Sequence, residues 1–150
     1  MTEVLFYHLQ RKRVEEALPA LLERSVARGW RAVVQSSSEE RIEALDAYLW
    51  TWRDDGFLPH GTHRQPDPDH QPVLLTVQAD NPNGASVRFL IDGTPLPDDA
   101  AAYERIVVLF DGEDDEAVAG ARLCWSDVKA KGFAATYWQP DAQGRWVKKA

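Results

Sequence analysis

Two stretches constrain this chain more than any others: residues 3–9, EVLFYHL, and residues 105–111, RIVVLFD. Both are nearly continuous apolar runs rich in β-branched and aromatic residues, without the alternation of a strand that has one wet face. They read as strands buried on both sides, and such strands need a covering layer above and below the sheet. After the first run, Val14, Leu18, Leu21, Leu22 and Val26 recur at helical spacing until Gly29 supplies a stop. Pro19 would remove an interior hydrogen bond, so the helix proper is expected to start near it. RAVVQSS, 31–37, follows as a second apolar strand, and Ser37 with Glu40 makes a capping box for a helix that carries Ile42, Leu45 and Leu49 inward. Strand, helix, strand, helix in that order points to a parallel α/β sheet.

The segment 56–72 is polar and broken by prolines, and reads as a loop. PVLLTVQ, 72–78, and SVRFLID, 86–92, are two strands joined by ADNPNGA, whose Asn and Gly residues favour a hairpin. A helix is predicted from about Asp115 to Lys131, ended by Gly132, and FAATYWQ, 133–139, completes the sheet. The expectation is a single α/β domain over 1–150. It is a three-layer sandwich on a mainly parallel sheet of five to seven strands, six by direct count, with three main helices. At 150 residues the chain is long enough to bury a core without a metal or disulfide.

Charge and cysteine usage narrow the function. A net charge of −7 argues against a broad nucleic-acid grip, so any contact with DNA is expected to be indirect. The cations nevertheless cluster, as Arg11 to Arg13, then Arg122, Lys129 and Lys131, then Arg145, Lys148 and Lys149. One cysteine, Cys124, in an apolar helical pattern agrees with a reducing compartment and reads as a small core residue. The N-terminus lacks the pattern of a signal peptide and no run is long enough to span a bilayer, so the expected location is cytoplasmic, with no membrane contact.

Catalytic signatures are missing. The first strand runs into HLQRKRV, which has no glycine to cradle a phosphate, so the sheet is Rossmann-like without a nucleotide-binding loop and no cofactor is expected. His60, His63 and His70, with Asp67 and Asp69, are the one set of residue types that suits zinc, and a metal-dependent enzyme built on them is the rival reading. The acidic run 111–116 reads as the favourable N-terminal charge of the helix that follows. Neither a catalytic residue nor a metal ligand is assigned.

What stands out is aromatic. In LDAYLWTWRDDGFLPH, 45–60, Tyr48, Leu49, Trp50 and Trp52 crowd more than half of a helix circumference, so some rings must lie outside the core. In the last helix, Ala117, Ala121, Cys124 and Val128 form a small apolar face, while Arg122, Trp125 and Lys129 stand on another at i, i+3 and i+7. A ring held between two cations suits a short anionic peptide with a hydrophobic anchor.

The chain resembles the chi subunit family of bacterial DNA polymerase III holoenzyme. The resemblance rests on VLFYHL, on Leu45-Asp46, Leu49-Trp50, Phe57 and Pro59-His60 in the aromatic segment, on IVVLFDG and on VKAKGF. It implies a non-catalytic clamp-loader accessory protein. The implied partners are the psi subunit and the acidic C-terminal tail of single-stranded DNA-binding protein, whose last residue is an apolar anchor with a free carboxylate. Carried over by position, the implied partner-binding residues are Trp50, Phe57, Arg122 and Trp125, with Lys129 as a further cation, and the surplus rings would line one site beside the last helix. Val118 and Ser126 are neutral where some members carry lysine, which implies weaker binding of an acidic tail. The remaining alternative is a scaffold that holds a polymerase subunit or a second copy of itself without binding the tail.

Overall fold

The computed structural model describes residues 2–52 and 58–150. The elements run β1 (Glu3–Leu9), α1 (Val14–Ala27), β2 (Ala32–Gln35), α2 (Glu39–Thr51), β3 (Gly61–Thr62), β4 (Val73–Thr76), β5 (Val87–Leu90), β6 (Arg105–Asp111), α3 (Asp115–Ala130), β7 (Ala134–Pro140) and β8 (Trp146–Lys148). The strands form one open sheet in the order β3-β4-β2-β5-β6-β1-β7-β8, parallel throughout except for the final antiparallel pair. The fold is the expected α/β sandwich, and β1 sits inside it between β6 and β7.

Side-chain alternation sorts the core into two layers. On one face Ala32, Val34, Val73, Leu75, Phe89 and Val107 meet Leu18 and Leu22 of α1 and Ile42, Leu45 and Leu49 of α2. On the other, Val4, Phe6, Val33, Leu74, Ile106 and Val108 meet Ala121 and Val128 of α3. α1 and α2 therefore cover one side and α3 the opposite side. Gly132, at φ 82°, closes α3 as expected: its own N–H bonds to the Lys129 carbonyl and that of Phe133 to Val128.

Five local expectations are corrected. The hairpin of 72–92 does not form. β4 and β5 instead flank β2, each parallel to it, with Val33 registered against Leu74 and Arg88. All four residues of each strand are buried, and central positions bury them where a hairpin at the sheet edge would not. The asparagines of the connection stitch a crossover: Asn81 bonds both backbone groups of Ala85, and Asn83 donates to the carbonyls of Ala32 and Gln71.

α1 starts at Val14, so Pro19 lies inside it. A missing interior hydrogen bond costs about 3 kcal/mol, but burying Val14 and Leu18 returns about 1.5–3 kcal/mol each, and both are nearly inaccessible. α2 is capped by Ser38, whose Oγ accepts from Arg41 N–H, while Ser37 Oγ donates to the Asp92 carbonyl. Two short strands raise the count among the described residues to eight. Gly61–Thr62 pairs with Leu74–Leu75 inside the segment expected to be loop, and Trp146–Lys148 adds a strand beyond β7.

Candidate partner-binding surfaces

On α3, the i, i+3, i+7 spacing places Arg122, Trp125 and Lys129 along one side, and the helix stands close to the sheet on Ala121 and Val128. Trp125 is half-buried, with its ring edge-on to Phe6 at 5.3 Å and to Tyr137 at 6.0 Å between centroids. Lys129 Nζ lies 5.7 Å from the Trp125 ring centroid, a distance at which the ring's quadrupole attracts the ammonium. Arg122 and Lys129 are exposed, and neither makes an ion pair among the described residues. Arg122 and Lys129 are separated by about 10.5 Å of helix rise, the length of roughly three extended residues. An extended acidic segment can therefore meet both cations while an apolar side chain lies on the ring between them.

Two residues beside this surface were not anticipated as part of it. His8 Nδ1 lies 2.6 Å from the Tyr137 hydroxyl, and the imidazole also packs on Phe110. A Cβ at Gly112 would strike the His8 ring and come within 2.7 Å of the Leu9 carbonyl oxygen, a backbone atom that cannot give way, so glycine lets the chain pass there. Burial holds His8 below the ordinary histidine value; Asp111 pulls it up and Arg122 pushes it down again. Burial raises the Tyr137 phenol, against the pull of Arg122. The shared influence of Arg122 puts its charge close to both groups. No local pattern links positions 8 and 137, because the fold alone brings them together.

Trp50 lies elsewhere. It is 53% exposed in the last turn of α2, which packs on β3 and β4. α3 packs on β6, β7 and β1 from the other side of the sheet. β4 and β6 are three strand spacings apart, or about 14 Å, with the sheet between the two helices. Of the residues expected to line one site beside the last helix, Arg122, Trp125 and Lys129 thus lie on the α3 side of the sheet and Trp50 on the α2 helix that covers the other side. Phe57 lies outside the described residues.

The three histidines are also dispersed. His60 is buried with Nδ1 against the Leu58 carbonyl at 2.7 Å and Nε2 3.0 Å from Asp46 Oδ1. His63 Nε2 pairs with Glu39 at 3.0 Å, and His70 is exposed beside Asp69. Two of them are thus committed to α2 carboxylates. Asp67, Asp69 and His70 do approach one another, but all are exposed on a surface turn.

Residues 1–136 match the family described as DNA polymerase III chi subunit, HolC. This chain belongs to that family. A relative in Rickettsia prowazekii (strain Madrid E), described as a probable DNA polymerase III subunit chi, is 27% identical over 117 residues, covering 74% of this chain and 71% of its own. The match makes the chain a member of a polymerase subunit family, and none of the described helices is long and apolar enough to cross a membrane. Family membership gives the aromatic segment a physical sense. In this chi-family chain Leu45 and Leu49 anchor α2 in the core, Asp46 pairs with buried His60, and the His60 ring packs on Trp50 at 4.9 Å between centroids. The spaced residues thus build a platform that holds one large ring outward.

Proposed function

We propose that this chain is a non-catalytic accessory subunit of the DNA polymerase III clamp-loader complex. In this reading it binds the acidic C-terminal tail of single-stranded DNA-binding protein along α3. Arg122 and Lys129 take carboxylates, one of them the terminal carboxylate, and Trp125 with Tyr137 takes the apolar anchor. What carries the reading is a half-buried tryptophan between two exposed cations that have no ion-pair partner among the described residues. Trp50, on the opposite side of the sheet, serves a different partner, a clamp-loader subunit such as psi where one exists. The chain then bridges the two without competition, and its contact with DNA is indirect. Two exposed cations fit modest affinity with a clear salt dependence.

The test is a fluorescence anisotropy titration with a labelled acidic tail peptide at low and moderate salt. Saturable binding that weakens with salt and falls about tenfold in Arg122→Ala, the loss of one charge-assisted contact, supports the proposal. Absence of binding at both salt concentrations refutes it and leaves the scaffold reading.

A further inference from the structure

α3 has a second exposed side with opposite chemistry. A groove of about 1150 Å³ runs along the C-terminal ends of β5 and β6, between the first turns of α1 and α2 and the outer side of α3. This is where open α/β sheets receive ligands. Its floor is apolar, including Leu96 and Phe110, and Leu123 of α3 projects at its wall with 75% of its surface exposed. An isolated exposed leucine is ordinary, but one that borders an apolar trough extends a contiguous patch. A Cβ at Gly120 would meet nothing within 4 Å, so another backbone has room to come close to α3 there.

The groove is strongly acidic. Six carboxylates line it against two guanidiniums, those of Arg13 and Arg41. Both arginines are already paired, Arg41 with Asp92 and Glu15 and Arg13 with Glu16. Asp111, Asp114 and Glu116 have no cation within ion-pair distance among the described residues. The charge selects the occupant. An acidic tail is repelled, and a second copy of a chain of net charge −7 would bring like charges together. The chain's own basic end is occupied, since Lys149 and Ala150 bond to the backbone of Tyr137.

We propose that this groove docks a cationic amphipathic helix of a partner protein, with its apolar stripe on Leu123 and the trough and its Lys or Arg residues against Asp111, Asp114 and Glu116. The site is separate from Arg122, Trp125 and Lys129, so α3 offers a basic aromatic side and an acidic apolar side, and both can be filled at once. The inference does not depend on tail binding.

The probe is a labelled 16-residue amphipathic Leu/Lys helix, titrated by anisotropy against the full chain beside a scrambled isomer of identical composition and charge. Leu123→Lys and Glu116→Lys change exposed side chains, so circular dichroism is expected to match the wild type in both; Leu123→Lys should also melt as the wild type does, and Glu116→Lys slightly lower, because it sets a cation in the first turn of α3. The expected result is saturable binding that is at least tenfold weaker for the scrambled isomer and for Leu123→Lys, several-fold weaker for Glu116→Lys, and unchanged in Arg122→Ala. No saturable binding overturns the proposal, as does equal binding of the scrambled isomer, which would mean general attraction to an acidic protein. Binding unaltered by Leu123→Lys places the peptide elsewhere and also overturns it. Sedimentation that shows a dimer dissolved by Leu123→Lys would assign the groove to self-association instead.

Discussion

Replacing Arg88 by methionine tests how the centre of the sheet is held. Arg88 is fully buried in β5 with no carboxylate partner among the described residues, and its guanidinium donates five hydrogen bonds to neutral acceptors. Two go to Gln35 Oε1 at 3.0 and 2.7 Å, one to the Tyr103 hydroxyl at 2.9 Å, and one each to the carbonyls of Asp80 and Gln78. Methionine keeps most of the stem volume and removes every donor. Gln35 and Tyr103 are buried, and each acceptor stranded there costs about 1–3 kcal/mol. Gln78 and Asp80 belong to exposed residues whose carbonyls can take water instead. Against this loss stands the relief of no longer desolvating a cation, so the net destabilisation is expected near 3 kcal/mol. Urea unfolding followed through the six tryptophans should then show a midpoint lowered by about 1.5 M at an m-value of about 2 kcal/mol/M. A shift below about 0.3 M would refute the reasoning, because it would mean that an apolar side chain replaces the network at no cost.

Burial, and after it Asp127, pushes the Cys124 thiol up to about 11, so iodoacetamide at pH 8 should label the folded protein much more slowly than the urea-unfolded chain; equal rates would contradict that environment. His8 is held below its ordinary value chiefly by burial, so the folded state resists protonation there. The stability this contributes is present above about pH 6.5 and is lost as pH falls through the lower folded value. His8→Gln should therefore lose less stability than wild type between pH 7.5 and 5, and parallel curves would contradict the assignment. Trp125→Ala should abolish tail binding and spare a clamp-loader contact, while Trp50→Ala should do the reverse. Loss of both functions in either variant would argue for one shared surface.

The sequence exposes what depends on nearby residues. Continuous apolar runs locate β1 and β6, 3.6-residue spacing finds the buried side of α2 at Ile42, Leu45 and Leu49, and Gly132 ends α3 where a left-handed residue is needed. Pairing across the sheet is a different matter. ADNPNGA has the composition of a hairpin turn, yet β2 lies between the strands it joins, because burial on both faces outweighs local turn preference. β8 is hidden because its only apolar residues, Trp146 and Val147, stand among charges. The candidate site divides in the same way. The cation-aromatic spacing on α3 is readable within eight residues, whereas the separation of Trp50 from Trp125 follows from which side of the sheet each helix covers. The contact of His8 with Tyr137 likewise joins strands 129 positions apart.

On the proposed reading the acidic tail lies along α3 and nowhere near Trp50. Its most direct test is an NMR titration of isotope-labelled protein with the tail peptide, observing backbone amides and the six tryptophan indoles at low salt. Saturating shifts are expected at Arg122, Trp125, Lys129 and Tyr137, including the Trp125 indole, with the Trp50 indole and the amides of β3 and β4 unmoved. Shifts centred on Trp50 and His60, with the α3 surface unchanged, would contradict it.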